Sequence, residues 1–107
     1  RTKFFKSDYS DIDEIIIADN ILDKDATIIC CGYMKHCDFL MPHRKVITLD
    51  YTRFNNDGSE KAFYIKSVVE KQSGCNDKSL KYFLDRNQLN YYGQIDNLRY
   101  IKIFQVI

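Results

Sequence analysis

The chain has 107 residues, 45% of them hydrophobic and 29% charged, which is enough for one domain with one hydrophobic core. Its 16 basic and 15 acidic residues give a formal net charge of +1. That balance argues against a protein that binds nucleic acid or membranes through a large overall positive charge, although it is compatible with a local basic face. The sequence contains no run of about 18 apolar residues, so we expect no transmembrane helix and no membrane partner.

The N-terminal part of the chain is predicted to contain an arm and a short helix. Residues 1–9 are predicted to form the arm, and residues 10–107 a single β-rich domain. A helix is predicted within Ser10–Asp25, because apolar residues there recur at helical spacing: Ile12, Ile15, Ile16 and Leu22. The apolar run at 15–17 also fits the start of a strand, so both alternatives stay open at this point.

The next segment, Ala26–Met41, is predicted to be one long strand. Gly32 near its middle is typical of a bend or bulge, where a curved strand changes its neighbours. Pro42 ends the strand, because proline has no N–H to donate to a ladder.

A β-hairpin is predicted over Lys45–Glu70. Two runs of β-branched and aromatic residues flank a cluster of turn formers, Asn-Asn-Asp-Gly-Ser. One apolar face follows from the alternation along the two arms: Ile47, Leu49 and Tyr51, then Phe63, Ile65 and Val69. The opposite face is polar and partly aromatic.

The remaining elements are a helix and two strands. A helix is predicted to start at Asn76 or Asp77, with an apolar stripe of Leu80, Phe83 and Leu84. A short strand at Leu89–Gln94 and a final strand at Arg99–Ile107 follow. In the final strand Ile101, Ile103 and Ile107 are predicted to point inward.

This order of elements resembles an OB-fold, the five-stranded Greek-key barrel with a helix between its third and fourth strands. A short lead-in, Ile15-Ile16 to Ile21-Leu22, precedes the run Ala-Thr-Ile-Ile-Cys-Cys-Gly-Tyr-Met, which is similar to the opening of many OB domains. The sequence therefore predicts a mostly β fold with one or two short helices, closed as a small OB-like barrel. A β-sandwich is the alternative. The resemblance implies a small subunit of a single-strand-binding or telomere-capping complex.

Aromatic and basic residues alternate on the predicted strands, and this pattern suggests a nucleic-acid surface. Single-strand binding uses bases stacked on aromatic rings, with cations along the phosphates. The residues predicted to make these contacts are Tyr51, Arg53, Tyr64, Lys66, Tyr92, Tyr100 and Lys102. The simpler interpretation is that these tyrosines only cover the hydrophobic core.

Outward-facing apolar residues suggest a protein partner as well. The residues predicted to lie at that interface are Phe54, Val68, Phe104 and Val106. Two functions therefore stay open. The first is a non-catalytic binding domain of a nucleic-acid-binding assembly, with an intracellular, nuclear location. The second is a β-sandwich module of a viral or parasite protein that binds only protein.

The cysteines and histidines are predicted to carry no chemistry. Cys30, Cys31, His36 and Cys37 lie close together, but they lack the paired spacing of a zinc site, so we expect no metal. Free thiols are expected, with Cys37–Cys75 as the pairing in an oxidising compartment and a secreted location still open. No catalytic motif is present, so we expect neither an enzyme nor a cofactor.

Overall fold

A computed structural model describes residues 2–30, 36–49, 54, 58, 60–67, 77–95 and 98–107, without the side chains of 2–11, 36 and 77. Its elements in chain order are α1 (Thr2–Ile21), β1 (Thr27–Cys30), α2 (His36–Leu40), β2 (Val46–Thr48), β3 (Ala62–Ser67), α3 (Asp77–Arg86), β4 (Leu89–Tyr91) and β5 (Ile101–Val106). None of these helices has the length and apolar character needed to span a membrane.

The five strands form one mixed sheet in the order β2-β1-β3-β5-β4. The strands β1, β2 and β3 are parallel, whereas β5 is antiparallel to both β3 and β4. A small domain built on five strands is therefore confirmed. The predicted closure into an OB-like barrel is not observed, because among the described residues β2 and β4 are the two edges of an open sheet.

The predicted hairpin over Lys45–Glu70 is wrong. Its two arms are β2 and β3, but β1 lies between them and pairs in parallel with both: Ile29 is opposite Ile47 on one side and Tyr64 on the other. All four residues of β1 are buried, as expected for a central parallel strand covered on both faces. Gly58 has a φ of 91°, a backbone conformation that glycine adopts readily, whereas the other residues of the predicted turn lie outside the described residues.

The predicted long strand Ala26–Met41 is also wrong. The strand β1 ends at Cys30, and a helical turn, α2, begins at His36. The N-terminal helix α1 is longer than predicted and includes residues 15–17, so the strand alternative there is wrong. The predicted elements at Asp77, Leu89 and Ile101 are all present, with bounds within a few residues of those expected.

The sheet is packed on both faces, and alternate residues of each strand face opposite sides. The helices α1 and α2 cover one face, where the buried residues include Ile15, Ala18, Ile28, Cys30, Cys37, Met41, Phe63, Ile65, Ile101 and Ile103. The helix α3 covers the other face, where the buried residues include Ile29, Ile47, Leu49, Phe54, Ala62, Tyr64, Phe83 and Val106. The result is a three-layer arrangement, with the sheet between helices.

Two buried charged side chains hold α1 in place. The Glu14 carboxylate accepts hydrogen bonds from the backbone N–H groups of Arg99, Tyr100 and Ile101, at 2.7, 2.8 and 3.1 Å. The Arg44 guanidinium donates to the Asp19 carboxylate at 2.8 Å. It also donates to the carbonyl oxygens of residues 19, 22, 23 and 26, at or just beyond the C-terminal end of α1. These bonds provide partners for backbone N–H and C=O groups that would otherwise lack a hydrogen bond at the end of a helix or the start of a strand.

Candidate binding surface

A shallow pocket lies between α3 and the strands β3, β4 and β5. Its volume is about 140 Å³, and it is lined by Tyr64, Lys66, Leu80, Leu84, Leu89 and Phe104. Five of these six residues are apolar or aromatic, and the sixth is a lysine. We call these residues, with Lys102 and Tyr91 beside them, the α3-side surface.

The local sequence places these side chains together. Tyr64 and Lys66 are two residues apart on β3, as are Lys102 and Phe104 on β5, so each pair faces the same side of the sheet. Leu80 and Leu84 are one helical turn apart on α3, which puts both over the same part of the sheet.

A chain of aromatic rings crosses the sheet below and beside the pocket. The Phe83 ring lies 6.4 Å from that of Phe54 and 5.1 Å from that of Tyr64. The Phe104 ring lies 6.2 Å from Tyr64 and 5.8 Å from Tyr91, all between centroids. The series begins in the core and ends at Tyr91, which is 65% exposed at the β4 edge. Part of the aromatic content therefore fills the core, and part reaches solvent.

Two lysines lie at one end of the pocket. Lys66 and Lys102 are cross-strand partners, and both are exposed. Neither makes an ion pair with a carboxylate in the described part of the chain, whereas Lys45, Lys61 and Lys81 each have such a partner. Like charges directly opposite each other destabilise a sheet. The pair is therefore a concentrated positive charge without a counterion among the described residues.

The residues predicted to contact nucleic acid are placed in different environments. Lys66 and Lys102 are exposed beside the pocket, but Tyr64, which also lines the pocket, is only 3% exposed. Tyr92 lies on the opposite face of the sheet, edge-on to Phe63 at 5.0 Å. Tyr100 is half-buried where its N–H binds Glu14. The predicted positions Tyr51 and Arg53 lie outside the described residues.

The residues predicted to form a partner interface are also divided. Phe54 and Val106 are 6% and 4% exposed, and both pack in the core under α3. Phe104 is half-buried and lines the pocket. Val68 lies outside the described residues. Leu84, Leu89 and Tyr91 were not predicted to belong to a site, although the helical spacing of Leu80 and Leu84 indicates a shared apolar face.

The described thiols form a separate feature on the other side of the sheet. Cys30 and Cys37 are free and fully buried. The hydrogen bond between their thiols, together with burial, raises the pKa of Cys37 well above its ordinary value of 9.0. Within the described ranges, no three histidine, cysteine or acidic side chains lie close enough to hold a metal ion.

No protein-family model, no curated protein and no solved structure matches this chain. A function for the domain is therefore inferred from its own geometry. The features with the clearest chemical character are the apolar pocket and the lysine pair beside it.

Proposed function

We propose that this domain binds single-stranded nucleic acid, without catalysis, on the α3-side surface. One base enters the pocket against Phe104, and the phosphates lie at Lys66 and Lys102. The observation that carries this proposal is the juxtaposition of an apolar, aromatic-lined pocket with two lysines at one end, neither of which has a carboxylate partner among the described residues. A ligand that combines a flat ring with negative charge matches both parts, and a nucleotide is such a ligand.

The spacing along β5 supports one nucleotide at this place. Lys102 and Phe104 are two residues apart on the same strand face, a separation of about 7 Å. A base against Phe104 therefore leaves its own phosphate within reach of the lysine pair. The pocket is small enough to accept one ring system, so neighbouring nucleotides would extend over Tyr91 or beyond the lysines.

The affinity expected from this arrangement is modest. Two lysines provide a small electrostatic contribution, and the overall charge of +1 adds little to it. Tyr64 is too buried to stack fully on a base, which leaves Phe104 and Tyr91 as the accessible rings. We therefore expect the domain to act as one contact point within a larger assembly, with other contacts supplied by a partner.

The experiment is a fluorescence anisotropy titration with labelled single-stranded DNA of a dozen nucleotides, at two salt concentrations. Lys66→Ala and Lys102→Ala each remove one charge at the pocket, and Phe104→Leu removes the ring while keeping an apolar side chain. Lys24→Ala is the matched control, since Lys24 is exposed in the turn before β1, at the opposite end of the sheet. It lowers the net charge by the same amount.

We expect each pocket variant to weaken binding about tenfold, as base stacking or a charged contact contributes roughly 1–3 kcal/mol. Each lysine variant should also reduce the slope of log affinity against log salt by about 0.7. Absence of salt-dependent binding in the unmodified protein would contradict the proposal. So would an equal loss in Lys24→Ala, because the lysine pair would then have no special role.

A protein-binding function is the second candidate, and the exposed apolar residues around the pocket favour it. Leu84 is 47% and Tyr91 65% exposed, and Tyr91 lies on an edge strand. A partner's hydrophobic side chain would fill the pocket, with an acidic residue beside Lys66. In that case Leu84→Ala would weaken capture of the partner, while the titration with DNA would show no binding at either salt concentration.

A further inference from the structure

The two lysines of the α3-side surface lie at a single place on the sheet. Lys66 of β3 and Lys102 of β5 are directly opposite each other, so their α-carbons are about 5 Å apart and both side chains leave the sheet on the same side. Both are exposed, and neither has a carboxylate partner among the described residues. Two ammonium groups can therefore meet around one ligand at this end of the pocket.

The rest of this face of the sheet is uncharged over the described part of β3, β4 and β5. The other side chains on it are apolar or aromatic: Ala62, Tyr64, Leu89, Tyr91, Phe104 and Val106. An internal stretch of single strand carries one negative charge per nucleotide, and a protein that follows it provides cations along a groove. One lysine pair concentrates its charge at a point instead of distributing it along such a groove.

The charge of the pair matches a terminal phosphate better than an internal one. A phosphodiester within a strand carries one negative charge, whereas a phosphate monoester at a strand end carries nearly two at neutral pH and has three acceptor oxygens. Each lysine can then donate to a different oxygen of the same group. Because like charges on opposite residues destabilise a sheet, a doubly charged ligand also removes more of the repulsion within the pair.

We propose that the α3-side surface recognises the end of a single strand, through a terminal phosphate monoester held between Lys66 and Lys102. The nucleoside that carries this phosphate places its base in the pocket against Phe104, and the strand continues over Tyr91, which is 65% exposed. This inference rests on the proposed function, since it names the part of the single strand that the surface binds.

The experiment compares four single strands by fluorescence anisotropy, each labelled on an internal base so that both ends are free. The first has a dozen nucleotides and hydroxyl groups at both ends. The second and third are the same strand with a phosphate at the 5′ or the 3′ end. The fourth has hydroxyl ends and two further nucleotides, so its charge is close to that of the phosphorylated strands.

We expect at least one phosphorylated strand to bind about fivefold more tightly than the charge-matched longer strand, since an exposed charge contact contributes modestly. This factor is smaller than the loss from removing a lysine, because a strand with hydroxyl ends still offers internal phosphodiesters to the pair. The arm that shows the preference identifies the end that is recognised.

Variants of the pair test where the terminal phosphate lies. Lys66→Ala and Lys102→Ala should each reduce the preference to less than about twofold, because one ammonium group remains. Lys66→Arg keeps the charge and should keep the preference. Lys24→Ala, in the turn before β1, should also keep it. Phe104→Leu should weaken all four strands by a similar factor, because the ring contacts the base and not the phosphate.

This inference and the proposed function fail in different ways. Equal affinities for the phosphorylated strands and the charge-matched longer strand would overturn the inference, while single-strand binding at the surface would stand. A preference that persists unchanged in both lysine-to-alanine variants would also overturn it, because the phosphate would then lie elsewhere on the chain. Failure of all four strands to bind would overturn both.

Discussion

Lys66 of β3 and Lys102 of β5 lie directly opposite each other, on the side of the sheet that α3 covers. Both side chains are exposed, and no carboxylate in the described part of the chain pairs with either. A sheet gains from opposite charges at such a position and loses from like charges. The two lysines therefore reduce the stability of the free domain at a place where an anion would restore it.

The first prediction concerns a charge reversal at this pair. Lys66→Glu replaces the repulsion with a cross-strand ion pair, so we expect the free energy of unfolding to rise by about 0.5–1 kcal/mol. Urea denaturation at low salt measures it. The same variant should lose binding to single-stranded DNA. Lys24→Glu, remote from the pair, should change neither quantity by much, and a loss of stability in Lys66→Glu would contradict the charge argument.

The second prediction concerns Glu14, whose carboxylate accepts three backbone N–H groups at the start of β5. Glu14→Ala leaves these donors without their acceptor in a mostly buried place, so we expect a loss of about 3 kcal/mol in unfolding free energy. Glu14→Gln should lose about half of that, because the amide retains one accepting oxygen. Asp13→Asn is the matched control on the neighbouring position, and a loss there equal to that of Glu14→Gln would count against a specific role.

The third prediction concerns Arg44, whose side chain is 2% exposed and donates to five oxygens around the end of α1. Arg44→Lys keeps the charge but cannot reach these oxygens with the same fork of donors. We expect a loss of about 2–3 kcal/mol, measured by urea denaturation. Lys45→Ala breaks only the surface pair with Glu60, at 3.7 Å, and should cost less than about 0.5 kcal/mol.

The fourth prediction concerns pH and follows from Cys37. Its pKa in the folded domain is raised by the hydrogen bond that the Cys37 thiol makes to Cys30, by burial, and by the electrostatic effect of Cys30 and Asp38 on the thiolate. The unfolded chain releases this proton near pH 9.0 while the folded chain keeps it, so the unfolded state binds fewer protons above that pH. Stability is therefore retained below about pH 9 and decreases as the pH rises toward the folded pKa.

Urea denaturation under reducing conditions, at several pH values from about 8 to 10.5, tests this dependence. The unmodified protein should lose up to about 1.4 kcal/mol per pH unit more than Cys37→Ala over this range. The comparison of slopes removes the contribution of tyrosines and lysines, which titrate in both proteins. Parallel curves for the two proteins would show that Cys37 ionises at its ordinary pKa in the folded domain.

Local patterns were sufficient to predict several elements. The stripe of Leu80, Phe83 and Leu84 predicted α3, and the alternation after Arg99 predicted β5. Both signals depend only on the periodicity of a helix or a strand, which a sequence displays directly. The same alternation predicted the exposed lysines of the candidate surface. Lys66 lies two residues after Tyr64, and Lys102 lies two residues before Phe104, so each lysine shares a strand face with an aromatic residue.

Long-range contacts could not be predicted in this way. Glu14 and Tyr100 are 86 residues apart, and nothing near either position indicates that one carboxylate will bind that backbone. The same holds for Phe54 and Val106, which were expected on an interface and are buried under α3. Burial of a particular apolar residue depends on which helix covers its face of the sheet.

The amino-acid sequence by itself determined the elements with a clear period, such as α3 and β5, and the alternation of side chains along the strands. Only the tertiary structure decided how the strands are ordered. An alternating strand fits equally well in a parallel and an antiparallel pair, because the period of two is the same in both. The insertion of β1 between β2 and β3 follows from burying its apolar run on both faces. The pairing of β3 with β5 brings Tyr64, Lys66, Lys102 and Phe104 together on the side of the sheet that α3 covers.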